Sequence, residues 1–347
     1  MVIDVKKVKY IARVLTGVRF KKMFAVMNEI HNRTGKSKFI MFFDIPICML
    51  RYGAGYYDYQ ALGFDKLNHR QRKTYLTRFK SKKLVMKCND KNYSYIFNNK
   101  VEFNKRFADY LGRECLATEA LSFDDFKKFI KGKEYIFAKP KDGDSGKGIK
   151  KLSEKDFKSS KDFYEFIINK DNKIDVIEEV IIQNKDMNKI YPLAVNSLRV
   201  ATLVYNNKVN ILYAIAKFGA NGDYADNMDR GGLCCPVDLK TGKIIYPAHS
   251  PKFTPLYSHP YSKIKFVGFK IPHFKKVLQL ATKLATVVDE VKYVGWDIYI
   301  GPKGPGVIEG NDYPGYDFGQ LLIHTKTGIG ILPQINKIFD NNKKDRI

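Results

Sequence analysis

Asp297, Glu309 and Asn311 have the residue types and spacing of a hard-metal site. Residues 293–300 and 307–311 are β-rich runs joined by Gly-Pro-Lys-Gly-Pro, the pattern of a hairpin. With the turn centred near Lys303, residues equally far from it face one another, which sets Asp297 opposite Glu309. Cross-strand partners have Cβ atoms roughly 5 Å apart, and Asn311, two residues on, projects from the same face as Glu309. Two unpaired carboxylates so placed repel. A divalent cation relieves that repulsion, and two carboxylates with an amide oxygen suit Mg²⁺ held jointly with phosphate oxygens. A solvated hairpin with incidental acids is the alternative. The apolar setting of Val294, Trp296, Ile298, Val307 and Ile308 argues against it.

A second element of this chemistry lies far upstream. Phe137-Ala-Lys139-Pro140 runs into Lys-Asp-Gly143-Asp144-Ser145-Gly146-Lys-Gly148, a glycine-rich turn between two strands. Glycines let backbone N–H groups approach phosphate oxygens without Cβ obstruction. Ser145 adds a hydroxyl, and Lys139 at a strand end is placed to reach α- and β-phosphates. The loop is not a Walker A motif: Lys141 stands where its first glycine belongs, and Gly148 where Ser or Thr should follow.

The elements that must position these residues can be read coarsely. Residues 1–95 look mainly helical, with helical spacing across residues 8–31, and show no βαβ rhythm of a Rossmann-like domain. Residues 99–111 read as an amphipathic helix. Short strands follow at residues 134–139, 149–152 and 176–182, with a helix at 157–169 between them. Residues 198–205 and 209–218 form a hairpin turning at Asn206-Asn207-Lys208. After a Gly- and Asp-rich loop at 219–232, residues 274–291 read as one amphipathic helix, and the tail from Asp340 is polar. The expected domains are a helical region over 1–95, a first lobe over 96–182, a second over 183–340 and a tail at 341–347.

Bulk composition bounds the rest. With 347 residues, 44% hydrophobic and 28% charged, the chain is an ordinary globular protein, neither disordered nor collagen-like. Its net charge of +25 comes from 49 Lys and only 12 Arg spread along the chain. Specific DNA readers lean on Arg forks, so nucleic acid is not the expected partner; a solvated basic surface or attraction to anionic substrate or membrane fits better. Arg70 to Lys83 is the one dense basic stretch. The five cysteines, Cys48, Cys88, Cys115, Cys234 and Cys235, form no CxxC and an odd set, which fits a reducing cytoplasm. The start lacks a signal-peptide pattern. The most apolar run, residues 39–50, is interrupted by Asp44 and Pro46 and is too short to span a bilayer. At most peripheral membrane association is expected. None of the six histidines shows metal-ligand spacing.

Taken in order, these motifs resemble the ATP-grasp superfamily: Lys100 in Asn-Asn-Lys-Val-Glu-Phe, Lys139, the loop from Gly143 to Gly148, Glu178-Glu179-Val180-Ile181, then Asp297 with Glu309-Gly-Asn311. The resemblance runs from about residue 95 to 330. Within it, Leu193-Ala-Val-Asn196-Ser197-Leu-Arg199-Val, Ala225-Asp226-Asn227 before Gly231-Gly232, and Val294-Gly-Trp296-Asp297-Ile resemble the sugar-transfer-associated ATP-grasp group, which is related to α-L-glutamate ligases. The Tyr-rich stretch Gly55-Tyr-Tyr-Asp-Tyr59 is similar too. Lys217 departs from the pattern, standing where Arg is expected; it keeps the charge but not a bidentate fork.

The resemblance implies an α+β ATP-grasp fold, two lobes sandwiching ATP, behind a helical N-terminal region. It implies ATP and Mg²⁺ as cofactors. Adenine would bond to the backbone just after Glu179, with Glu178 or Glu179 accepting from its amino group or holding a lysine, and Asp186 a weaker candidate for the ribose. Arg199 faces Ile215 across the first hairpin, with Lys217 diagonal on the same face, so the two cations would stabilise a transferring γ-phosphate or an acyl-phosphate. Asp226, Asn227 and Arg230 lie in a loop suited to closing on substrate. The expected activity is an ATP-dependent carboxylate–amine ligase acting on a small-molecule or glycan carboxylate and an amine, in cell-surface polysaccharide or amino-acid-conjugate synthesis. An ATP-grasp kinase acting on a hydroxyl and a non-catalytic basic module for an anionic polymer are the alternatives.

Overall fold

The computed structural model describes residues 19–143, 148–220, 222, 226, 230–250, 254–325, 327–339 and 347. The chain divides into two compact units, Met1–Lys87 with Gly315–Ile347, and Cys88–Pro314.

Helices build the first unit: α1 (Phe20–Thr34), α2 (Lys38–Tyr52), α3 (Tyr56–Ala61), α4 (His69–Arg72) and α5 (Arg78–Cys88), with a further helix over Leu332–Ile338. The helix read across residues 8–31 begins at Phe20 among the described residues. Helix α1 stops at Gly35, whose φ of 73° lets its N–H turn back to the His31 carbonyl; α2 stops at Gly53 in the same way. Met23, Met27 and Ile30 of α1 pack against Met41, Ile45, Cys48 and Tyr52 of α2, together with Tyr59, Phe64 and Tyr75. Asp44, which interrupts the apolar run in sequence, points inward. It takes both arms of Arg72 at 2.8 and 2.7 Å and the Tyr59 hydroxyl at 2.7 Å.

Two antiparallel sheets build the second unit. The smaller has the order β1-β4-β2-β3, with β1 Cys115–Ala117, β2 Ile136–Lys139, β3 Lys150–Leu152 and β4 Val176–Glu179. Because strand residues alternate between faces, Ile136, Ala138 and Ile177 turn to one side and pack on Phe126, Phe129, Phe163 and Ile167 of the helices Phe123–Ile130 and Ser160–Ile168. Lys139 and Glu178 are left on the other side.

The larger sheet has the order β11-β10-β5-β6-β7-β8-β9. Its long members are β5 (Ser197–Tyr205), β6 (Lys208–Phe218), β7 (Leu233–Val237), β10 (Tyr293–Ile300) and β11 (Pro305–Asn311), with short β8 (Ala248–His249) and β9 (Pro255–Leu256) at the edge. Leu198, Val200, Ala216, Cys235, Trp296 and Ile298 turn to one face, into a core shared with Phe107 and the helix Phe274–Leu284. That helix is shorter than the 274–291 span expected, because the β-branched run Thr286-Val287-Val288 is a poor helix former; Val288 and Val291 still enter the core. The helix expected over 99–111 is likewise α-helical only over Lys100–Arg106, followed by a 3₁₀ turn at Ala108–Tyr110, while Phe103, Phe107 and Leu111 stay buried.

Both long hairpins carry a bulge that decides their register. Asn206 and Asn207, at φ of 49° and 58°, make the tight turn between β5 and β6. Pairing there runs from Tyr205↔Lys208 to Thr202↔Ile211, then shifts to Ala201↔Tyr213, leaving Leu212 extra, so that Arg199 meets Ile215. In β10–β11 the pairs Ile300↔Pro305 and Ile298↔Val307 give way to Asp297↔Glu309, leaving Ile308 extra. Strict alternation from the core residue Val307 would have sent Glu309 into the core. The extra residue turns it to the other face.

Candidate active site

The face of the larger sheet away from the core carries a row of charge. Arg199 pairs across the ladder with Asp297, and Asp297 with Glu309. Arg199 grips Asp297 bidentately, Nε to Oδ1 at 2.5 Å and Nη2 to Oδ2 at 2.9 Å. Lys217 adds a third bond at 3.1 Å and reaches Asp226 at 3.2 Å. Asp226 also accepts from the Ser197 backbone N–H at 3.0 Å and from its hydroxyl. Asn311 Nδ2 lies 3.4 Å from Glu309 Oε1.

Electrostatics divides the two carboxylates. Burial would push the Asp297 carboxyl up, but Arg199 and Lys217 outweigh it and hold Asp297 well below the usual carboxylate range. Burial would also discharge Lys217, yet Asp226 and Asp297 raise its pKa and keep it cationic. Glu309 goes the other way: withdrawal from bulk water and the charge of Asp297 raise its pKa. Its side chain remains reachable by solvent. An accessible carboxylate whose pKa a second carboxylate raises suits a divalent cation.

A second cluster sits on the open face of the smaller sheet. Lys139 Nζ donates to Glu178 Oε2 at 2.6 Å, and Arg113 Nε donates to the same oxygen at 3.0 Å. Arg113 Nη1 reaches across to the Val307 carbonyl of β11 at 2.7 Å. One guanidinium thus spans the acidic strand of one sheet and the β10–β11 hairpin of the other. Its Nη2 is buried without a partner among the described residues. Burial would raise the Glu178 pKa, but Lys139 and Arg113 hold it well below the ordinary range. Lys100 Nζ donates to the Gly143 carbonyl at 2.8 Å, at the mouth of the glycine-rich loop.

A family model described as sugar-transfer associated ATP-grasp matches residues 70–338. The chain belongs to that family. No curated protein sequence matches it. Among solved structures it is similar to the ATP-grasp ligase PsnB complexed with minimal precursor, at 14% identity over 74% of this chain and 64% of that one, with a TM-score of 0.43. It is also similar to D-alanyl-alanine synthetase A from Vibrio cholerae, at 12% identity over 71% and 65% of the two chains, TM-score 0.41. The D-alanine-D-alanine ligase from Helicobacter pylori gives 14% identity, 69% and 61% coverage, and a TM-score of 0.39. This ATP-grasp chain therefore spans just under two thirds of the length of the first two.

In this ATP-grasp chain the structure gathers Asp297, Glu309, Asn311, Arg199, Lys217 and Asp226 on one sheet face. It corrects one expectation there: Asp297 is not an unpaired carboxylate, since Arg199 and Lys217 already hold it. Glu178 is a partner of Lys139 and Arg113, whereas Glu179 accepts the Glu114 backbone N–H at 3.2 Å. Val180 and Ile181 follow the end of β4, half-buried, and among the described residues neither uses its backbone in a hydrogen bond. Asp186 is half-buried, paired at 3.2 Å with Lys189, and lines a surface hollow with Thr241, Lys270 and His273, apart from the charged row. Gly143 and Gly148, at φ of 135° and 77°, flank the loop; Arg230 is exposed. Asp144, Ser145, Gly146 and Asn227 lie outside the described residues. Cys234 and Cys235 are buried in β7, with Cys234 Sγ 4.0 Å from His249 Nδ1. Arg113 escaped the sequence reading because it stands in no motif; its only signal was being one of 12 arginines in a lysine-rich chain.

Proposed function

We propose that the chain is an ATP-dependent carboxylate–amine ligase whose intermediate is an acyl-phosphate. The observation that carries the reading is the row Glu309–Asp297–Arg199–Lys217, with two carboxylates and two cations fixed side by side on one rigid sheet face. Such a row suits phosphoryl transfer, in which the protein mainly positions groups and compensates charge.

Glu309, Asn311 and the free side of Asp297 would hold Mg²⁺. Their hard oxygen donors and the raised pKa of Glu309 fit that ion. When bound, it would neutralise charge on the ATP phosphates. Arg199 spends two of its five N–H donors on Asp297, and Lys217 spends two of its three on Asp226 and Asp297. The remaining donors are available to the γ-phosphate. Lys139, steadied by Glu178, and Lys100 at the loop mouth serve the other phosphates, and the free backbone at Val180 and Ile181 serves adenine.

In the reaction, a carboxylate oxygen attacks the γ-phosphorus and the bond to the β-phosphate oxygen breaks, releasing ADP. An amine then attacks the acyl carbon, phosphate leaves and the amine loses a proton. A glycan or amino-acid carboxylate, used in cell-surface polysaccharide or conjugate synthesis in the cytoplasm, is the substrate class in this reading. Incubation with ATP, Mg²⁺, a panel of such acids and hydroxylamine is expected to yield a hydroxamate together with ADP. A stable phosphoester formed without any amine would replace the ligase reading with a kinase.

A further inference from the structure

Helix α2 is apolar on two opposite faces. Met41, Ile45, Cys48 and Tyr52 fill the inner face, yet the outer face is also apolar and open: Phe39 is 74% exposed, Ile40 55%, Phe43 51% and Ile47 47%. The exposed rings touch one another. Phe39 and Phe43 have centroids 5.1 Å apart, Phe43 and Phe42 5.3 Å, and Phe42 stacks on Phe24 of α1 at 6.1 Å. A contiguous exposed apolar patch of this kind marks a binding surface.

Charge identifies the occupant. Arg19, Lys21, Lys22, Lys38 and Arg51, in or beside the same two helices, are all exposed. The two acids of these helices face elsewhere, Asp44 held by Arg72 and Glu29 bonded to Gln60 at 2.5 Å. Residues 1–52 carry eleven Lys and Arg against three Asp and Glu. A second copy docked through the same patch would set one basic helix pair against another. A protein partner's polar groups would find no acceptor or donor among the phenylalanines, while protein interfaces carry about one hydrogen bond per 100–200 Å². Exposed phenylalanines on helices whose exposed charges are lysine and arginine match the interfacial layer of a bilayer with anionic headgroups. No helix among the described residues is long and apolar enough to cross a membrane, so the patch lies in the interface.

We propose that the outer faces of α1 and α2 dock the protein on an anionic membrane surface, Phe39, Phe43 and Ile47 entering the acyl boundary and Lys21, Lys22 and Lys38 meeting the phosphates. The test is co-sedimentation of the full chain with phosphatidylcholine vesicles, with and without phosphatidylglycerol. Binding to the anionic vesicles alone, weakened by salt and reduced roughly fivefold per basic residue in K21Q and K22Q, is expected. A Phe39→Ser/Phe43→Ser double variant, whose changes lie on the solvent side, should lose at least tenfold in vesicle binding while its unfolding temperature and ATP turnover in free solution stay unchanged. Failure to bind anionic vesicles overturns the proposal, as does wild-type binding by the double variant. Self-association that the double variant abolishes, without vesicle binding, assigns the patch to a second copy instead.

Discussion

Asp297 stands directly opposite Glu309 because Ile308 is an extra residue in β11. The bulge turns Glu309 away from the core that Val307 enters, and brings a second carboxylate beside the one that Arg199 already holds. The two are unequal: Arg199 and Lys217 hold the pKa of Asp297 below its ordinary range, while burial and Asp297 raise that of Glu309.

Replacing Glu309 by Gln removes the charge without changing shape. Turnover of Mg-ATP is expected to fall by about a hundredfold or more, the scale of losing one electrostatic contact to transferring charge. The unfolding temperature should hold or rise, since repulsion with Asp297 goes. Mg-ATP at a hundred times its dissociation constant should stabilise the wild type by about 2.7 kcal/mol and the variant by much less. A variant that Mg-ATP protects as well as the wild type would sink the assignment of Glu309 to the metal.

Arg199→Ala leaves Asp297 buried with only Lys217. Removing one partner of a buried pair costs about 3–5 kcal/mol, because the desolvated carboxylate loses its bidentate clamp. Urea unfolding at neutral pH checks this. If Arg199→Ala and Asp297→Asn together lose as much as the two changes made singly and summed, the residues do not act as a pair.

Much of this site could be read from residues alone, and the reasons are local. Asp297 opposite Glu309 and Arg199 opposite Ile215 followed from centring each hairpin on its turn. The true turns are tighter by half a step, and in each hairpin a bulged residue, Ile308 or Leu212, restored the expected pairing. Bulges answer to packing on both sheet faces, which a single strand's pattern does not encode. A lysine on Glu178 was among the expectations and Lys139 supplies it, but the ion pairs on Asp297 and the Arg113–Glu178 pair were missed for a similar reason. Arg199, Lys217 and Arg113 meet their acids through strand neighbours or loops distant in sequence. The outward apolar face of α2 was visible as an apolar run, but its direction depended on Asp44 turning inward to Arg72.

Glu178 should make stability fall in acid. Its folded pKa lies below the ordinary carboxylate value, so its contribution is full above about pH 4.5 and is lost as pH drops toward the folded value. Glu178→Gln should therefore cost about 3 kcal/mol or more at pH 7, leaving Lys139 and Arg113 without their shared anion, and visibly less at pH 3. A wild-type-to-variant difference that does not shrink in acid would show that the ion pairs contribute nothing to folding.

Asp58 should act with the opposite sign. It is almost fully buried, accepts from the Tyr316 hydroxyl at 2.6 Å and from the Gly55 backbone at 3.0 Å, yet burial, reinforced by Asp317, pushes its pKa up to about 6. The folded chain thus keeps a proton that the unfolded chain releases near its ordinary value of about 3.9. Stability from this group is fully present below about pH 4 and is lost as pH rises through the folded value near 6, by about 3 kcal/mol in all at 1.36 kcal/mol per pKa unit. Asp58→Asn retains an acceptor for Tyr316 and cannot titrate. Measured by urea unfolding, the stability of the wild type relative to this variant should drop by about that amount between pH 3 and 7. A difference constant over that range would mean that Asp58 ionises normally inside the helical unit, and that its bonds to Tyr316 and Gly55 fully offset its burial.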